Sequence, residues 1–244
     1  MDGKDEAVRR RALERLPDTL TCFHARSLLA SGRGSIEGDP DAAFVVVDAI
    51  SSLAVPCFRP SRELAALPAR RKRFREAVAP LEDADFLREA LPRWTHQEAL
   101  FYTLSSAGDA PRGEPVGDGE AVMLDPGRAD VLVGLPESWC GPIRRAWERG
   151  PVAAVLVDGK AVAVCSSFCE TETHWDVSID TLESHRRRGF ATAAAARLIR
   201  HQRERGREPL WGTTADNRAS RELAAKLGFR EEGRLAWALS PESA

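Results

Sequence analysis

Three consecutive arginines, Arg186, Arg187 and Arg188, run directly into Gly189, Phe190, Ala191 and Thr192. An alternating apolar stretch over 175–181 precedes them, and a helical pattern follows from about Ala191 to Arg205. Strand, tight basic turn and helix start together make an anion site. The first amides of a helix lack intrahelical partners, and the macrodipole adds partial positive charge at that end. Gly189 and the small Ala191 let backbone come close to a phosphate. For this stretch alone, a solvated basic turn leading into an ordinary helix is an equal reading.

The chain beyond the turn adds a second signature. Gly206 ends the helix, Pro209-Leu210-Trp211-Gly212-Thr213 reads as a short strand, and Asn217 opens a helix that closes on Leu227-Gly228-Phe229. The spacing Arg186-x-x-Gly189-x-Ala191, followed at this separation by the Asn217 helix, resembles the GNAT superfamily of N-acetyltransferases. The resemblance covers roughly 119–244.

That resemblance implies acetyl-CoA as cofactor. Its pyrophosphate would take the amides and arginines of Arg186, Arg187, Arg188, Gly189, Phe190, Ala191 and Thr192. Its pantetheine arm would lie along the backbone of Ile179, Asp180 and Thr181, in the manner of an added strand. Asn217 would hydrogen-bond the arm and also cap its own helix, with Ser220 beside it. No metal is expected, because Cys165 and Cys169 lack a matching second pair.

The acceptor implied is a primary amine of a small molecule or peptide, attacking the thioester directly. Such an amine has a pKa near about 10 and needs a base or a depressed pKa. Where many family members place a Glu on the strand before the loop, this chain has Trp175, which cannot take a proton. Asp176 is the nearest carboxylate but faces the opposite side of an alternating strand. His174, Glu172 and Glu170 stand on the preceding turn, and Asp176 is as readily a structural carboxylate. The family's tyrosine acid is replaced by Ala224, and Tyr102 is the chain's only tyrosine. Either water protonates the thiolate, or Ser220 or Tyr102 serves. A rival reading is a catalytically weak acyl-CoA-binding sensor or partner-binding protein, for which the intact loop speaks equally.

Composition narrows the classes. The 244 residues are 43% hydrophobic and 30% charged with a net charge of −2, as in a folded globular chain. No global field draws it to nucleic acid, and the run Arg70-Arg71-Lys72-Arg73 reads as a solvated helix face among glutamates. No apolar run approaches bilayer length, and the start of the chain lacks the apolar core of a secretory signal. The scattered, odd set Cys22, Cys57, Cys140, Cys165 and Cys169 suits reduced thiols. The expectation is a cytoplasmic protein, monomer or homodimer, without membrane or nucleic-acid partners.

The elements that must position these residues read as α/β with a mixed sheet: a GNAT-like acyl-CoA-binding fold over 119–244, preceded by a smaller α/β domain over 1–118. The Gly/Pro/Asp-rich stretch from Ser105 to Gly119 marks the boundary. In the first half, helices are expected over Asp5 to Leu16, to about Ala30, over Ser61 to Val78 and over Asp83 to Ala90. Strands are expected at 43–48, 53–58 and 98–104, with a loop from Ser31 to Pro40. In the second half, Ala121 to Leu124 reads as a strand and Pro136 to Arg149 as a helix. Val152 to Ser166 reads as a hairpin turning at Asp158-Gly159. A last strand is expected near Leu235 to Leu239. The first half is either a degenerate acyltransferase-like repeat or an unrelated substrate cap. It is expected to shape the acceptor site, while 119–244 holds the cofactor unaided.

Overall fold

The computed structural model describes residues 3–71, 73–104, 117–125 and 127–243. The expected domain boundary falls largely outside the described residues. The first half contains α1 (Gly3–Arg15), α2 (Phe23–Ala30), β1 (Gly34–Gly38), β2 (Phe44–Asp48), β3 (Leu53–Cys57), α3 (Arg62–Ala65), α4 (Leu67–Arg70), β4 (Glu76–Pro80), α5 (Ala84–Ala90) and β5 (Thr95–Leu104). The second contains β6 (Glu120–Met123), α6 (Glu137–Trp147), β7 (Ala153–Val157), β8 (Lys160–Ser166), β9 (His174–Asp176), β10 (Ser178–Thr181), α7 (Phe190–Arg203), β11 (Glu208–Thr214), α8 (Arg218–Lys226) and β12 (Phe229–Leu239). No helix among the described residues is long and apolar enough to cross a membrane.

Two expectations are corrected. The supposed loop at 31–40 holds β1, which pairs along its length with the wholly buried β2. The supposed helix over 61–78 is two four-residue helices and then strand β4. Its alternating Ala77-Val78-Ala79 sends Ala77 and Ala79 into one apolar cluster and Val78 into another.

The strands form an eight-stranded sheet in the order β1-β2-β3-β4-β12-β5-β11-β9 and a four-stranded sheet in the order β10-β8-β7-β6. Both halves build the larger sheet. β5, from the first half, lies antiparallel between β11 and β12, and β12, from the second, lies between β4 and β5. Each half's last strand therefore sits beside the other half's sheet.

One succession occurs in both halves: strand, helical crossover, parallel strand, helix, long antiparallel strand. β3 and β4 are parallel across α3 and α4, as β9 and β11 are across α7. The first-half crossover holds only the short α3 and α4, and its turn residue Arg59 is ion-paired with Asp83. Fourteen residues of α7 supply the only long crossover helix among the described residues.

The sheet faces follow from strand alternation. Trp175, Val177, Trp211, Leu100, Tyr102 and Leu104 pack with Phe190, Ala194 and Leu198 of α7. On the opposite face, α6 covers β7 and β8 through Ile143, Ala146, Ala154 and Val164. There α2 reaches β11 and the turn before β9 through Phe23, Leu210 and Cys169.

Candidate active site

The residues 174–181 are one strand that changes partner at Val177. Before it, His174, Trp175 and Asp176 pair in parallel with Glu208, Pro209 and Leu210. The Val177 amide still donates to the Leu210 carbonyl at 2.9 Å. From Ser178 onward the strand pairs with β8 instead, Ser178 opposite Ser166 and Thr181 opposite Ala163. Beyond Leu210, β11 runs with β5 alone. A cleft therefore opens between β10 and β11. Ile179, Asp180 and Thr181 lie on an edge strand, so that strand's outer backbone groups face no other strand.

β10 leads into the basic turn. Arg187 sits at φ 61° and Gly189 at φ 85°, the latter as the cap of α7. Gly189 carries this left-handed geometry without a β-carbon penalty, and it leaves the amides of Phe190, Ala191 and Thr192 at the open helix end. The three arginines do not act alike. Arg188 pairs with Asp118 and lies 4.7 Å over the Phe190 ring. Arg186 and Arg187 have no carboxylate partner within ion-pair distance among the described residues, which leaves them for an anion. Phe190 itself is buried in the core, so only its backbone serves the turn.

Acetyl-CoA fits this arrangement on the structure's own terms. Thr181 Oγ1 on β10 and Thr213 Oγ1 on β11, the strands that border the cleft, are buried without a hydrogen-bond partner. Buried hydroxyls without partners are costly and suit a polar ligand arm between the strands. Thr213 belongs to neither sequence signature, although its alternation with Trp211 was a usable signal. Asn217 Oδ1 accepts from the Ser220 amide at 3.2 Å, the helix-cap role, and its amide nitrogen is not engaged by the cap. Ser220 Oγ accepts from Trp211 Nε1 at 2.9 Å. Ala224 is fully buried in the same apolar cluster as Tyr102.

The four acid–base candidates are not brought together. Asp176 faces away from α7, and its Oδ1 accepts from the Phe168 amide at 2.7 Å, the Cys169 amide at 2.8 Å and the Ser167 hydroxyl at 2.8 Å. It braces the 167–169 turn through one oxygen. Burial raises its pKa above the ordinary carboxylate value, and these hydrogen bonds offset that in part. The other three make scaffold contacts. Glu172 forms a two-pronged pair with Arg26 of α2, both contacts at 2.8 Å, which holds its pKa low. His174 Nδ1 lies 2.8 Å from Thr173 Oγ1 and 3.5 Å from Asp18. Glu170 accepts from Gln202 of α7 at 2.9 Å and lies 3.4 Å from Arg207.

One further titratable group stands on the face opposite α7. His24 of α2 packs edge-on to Phe101 at 5.7 Å, and Phe101 lies across from Gly212 on the cleft-bordering strand. Burial lowers the His24 pKa to about 4, so the ring is neutral at pH 7. No local sequence signal marks it, because its neighbourhood is made by packing of the first half on the second.

The chain's likeness to known proteins agrees with this geometry. Residues 146–236 match the GNAT acetyltransferase family. An uncharacterized N-acetyltransferase of Bacillus subtilis strain 168, YdfB, is 33% identical over 94 residues. That alignment takes in 38% of this chain and only 36% of the length of the relative. A GCN5-related N-acetyltransferase-like protein from Streptococcus suis 89/1591 superposes with a TM-score of 0.73 over 96% of this chain and 99% of its own, at 19% identity. A tandem GNAT protein from the clavulanic acid biosynthesis pathway gives 0.62 over 98% and 96%, at 13% identity. These two share the fold along both halves. Residues 146–236 thus match the GNAT acetyltransferase family, and the chain shares the fold of these two solved structures along both halves.

Proposed function

We propose that this chain is an acetyl-CoA-dependent N-acetyltransferase that acetylates a primary amine of a small molecule or peptide. The observation that carries the reading is the change of partner at Val177, which opens β10's edge directly in front of the Gly189 turn and the α7 amides. When bound, acetyl-CoA supplies an acetyl thioester open to direct attack by the amine. Arg186, Arg187 and the first α7 amides hold the anionic end, and β10 backbone with Thr181 and Thr213 orients the arm.

The acceptor reaches the cleft from the face opposite α7. Asp176 stands on that face with Oδ2 uncommitted, and holds or removes the amine's proton. α2 of the first half walls this side through Phe23 against Leu210. This supports a role for 1–118 at the acceptor site, while 119–244 carries the cofactor residues. A second reading, an acyl-CoA-binding protein with weak catalysis, draws on the engagement of Asp176 Oδ1 in bracing the 167–169 turn. Release of free CoA from acetyl-CoA across an amine panel decides between them. Amine-dependent release is expected; acetyl-CoA binding with no release above hydrolysis for any amine would favour the second reading.

A further inference from the structure

On the acceptor-side face, a cavity of about 90 Å³ lies between the C-terminal ends of α2 and α6. At about 30 Å³ per water, it has room for roughly three waters. Its walls come from both halves: Ser27 and Arg33 from the first, Arg149, Ser167, Phe168 and Glu170 from the second. Ser167 is the residue whose hydroxyl donates to Asp176, so the cavity shares a wall with the candidate base.

Its charges do not cancel. Arg33 is only 9% exposed, gives one terminal nitrogen to the Phe168 carbonyl at 2.6 Å and pairs the other with the buried Asp48. Its Nε is buried with no acceptor. Asp48 is fully committed, with Ser51 and the Ile50 amide as its other donors. Glu170, on the far wall, is already engaged by Gln202 and Arg207. Arg149, which is solvent-exposed where it lines the cavity, has no carboxylate within ion-pair distance among the described residues, and partial burial with the nearby Arg33 guanidinium lowers its pKa. The balance is one unpaired, solvent-exposed guanidinium beside a buried, unsatisfied guanidinium N–H.

We propose that this cavity binds the carboxylate of the acceptor, so that the amine acetylated belongs to an amino acid or a comparable amino carboxylate. The proposal rests on the reading that the acceptor enters on the Asp176 face. A carboxylate is planar, singly charged and small enough for the space, and it matches the fork of an arginine. It would give Arg33 Nε an acceptor and Arg149 a counter-charge. The amine of the same molecule would then project past Ser167 toward Asp176 and the cleft.

The test uses the full chain and two readouts. In the first, ligand-observed NMR compares propionate with propylamine, with no cofactor present. Propionate should bind, propylamine should not, and Arg149→Gln should weaken propionate about tenfold or more, the scale of a charge-assisted pair. Arg149→Lys should recover part of the loss. Propionate binding that is undetectable, or equal in wild type and Arg149→Gln, would overturn the proposal. In the second, glycine, β-alanine and γ-aminobutyrate are compared as acceptors with methylamine, ethylamine and propylamine. At least one amino acid should exceed its matching amine in kcat/KM, and Arg149→Gln should erase the preference. Amines acetylated as well as their amino acids would also overturn it. If no acceptor of either kind is acetylated while propionate binding still depends on Arg149, acetyl transfer fails and the carboxylate site stands.

Discussion

Phe101 of the first half lies directly across from Gly212 of the second, and a β-carbon at Gly212 would fall 3.2 Å from its ring. The strand that borders the cofactor cleft is thus packed against a residue more than a hundred positions earlier. β5 also pairs over its whole length with β12.

This contact predicts that residues 119–244 expressed alone will not fold as they do in the full chain. Losing β5 strips partners from β11 and β12 and removes the buried Leu100, Phe101 and Leu104. Those three side chains alone are worth roughly 5–9 kcal/mol at about 1.5–3 each, against a typical total stability of about 5–15. Circular dichroism melting should show no cooperative transition in the fragment, and co-expression with 1–118 should restore it. A fragment with a sharp melt would contradict the shared sheet.

Gly189→Val should abolish acetyl-CoA affinity while leaving the chain folded. The position needs φ 85°, a region that β-branched residues avoid, and the new side chain would crowd the helix end meant for the pyrophosphate. Isothermal titration of acetyl-CoA checks it, with far-ultraviolet circular dichroism as control. Unchanged affinity in a folded variant would remove the turn from the site.

Asp176→Asn separates base from brace. The amide oxygen can still accept from the 167–169 turn, so the fold should persist, while turnover should fall about a hundredfold if the carboxylate is the base. Because the folded pKa is raised, the associated stabilisation is present below the unfolded value and is lost as pH rises through the folded pKa. Relative to wild type, the variant should therefore melt progressively better as pH rises from the unfolded carboxylate value through the folded one. Wild-type turnover at every pH would leave Asp176 as brace alone.

His24 makes the opposite prediction. Its folded pKa, about 4, lies below the unfolded value near 6.5, so the folded protein refuses a proton that the unfolded chain accepts. The stabilisation is full above the unfolded value and falls as pH drops from about 6.5 toward 4. His24→Phe keeps a ring against Phe101 and should flatten that stretch of the melting-temperature profile. A variant with the wild-type slope would place the acid sensitivity elsewhere.

What the sequence determined by itself is local. Arg186 to Thr192 form a tight basic turn into a helix because the glycine, the arginines and the helix start act within one stretch of chain. Asn217 caps its helix, and Asp158-Gly159 turns the β7–β8 hairpin with φ of 50° and 73°, for the same reason. The helix expected over 61–78 failed because its apolar residues satisfy a helical period and a short buried strand equally, and only pairing with β3 and β12 decides for β4. Tertiary structure alone placed β5 inside the second half's sheet, set Arg33 and Arg149 at one cavity and packed His24 against Phe101. It likewise gave Glu170, Glu172 and His174 to the scaffold, since their partners Arg207, Arg26 and Asp18 come from other elements. Contacts across the two halves carry no period or motif that one strand or helix could display, because they exist only after distant segments have packed.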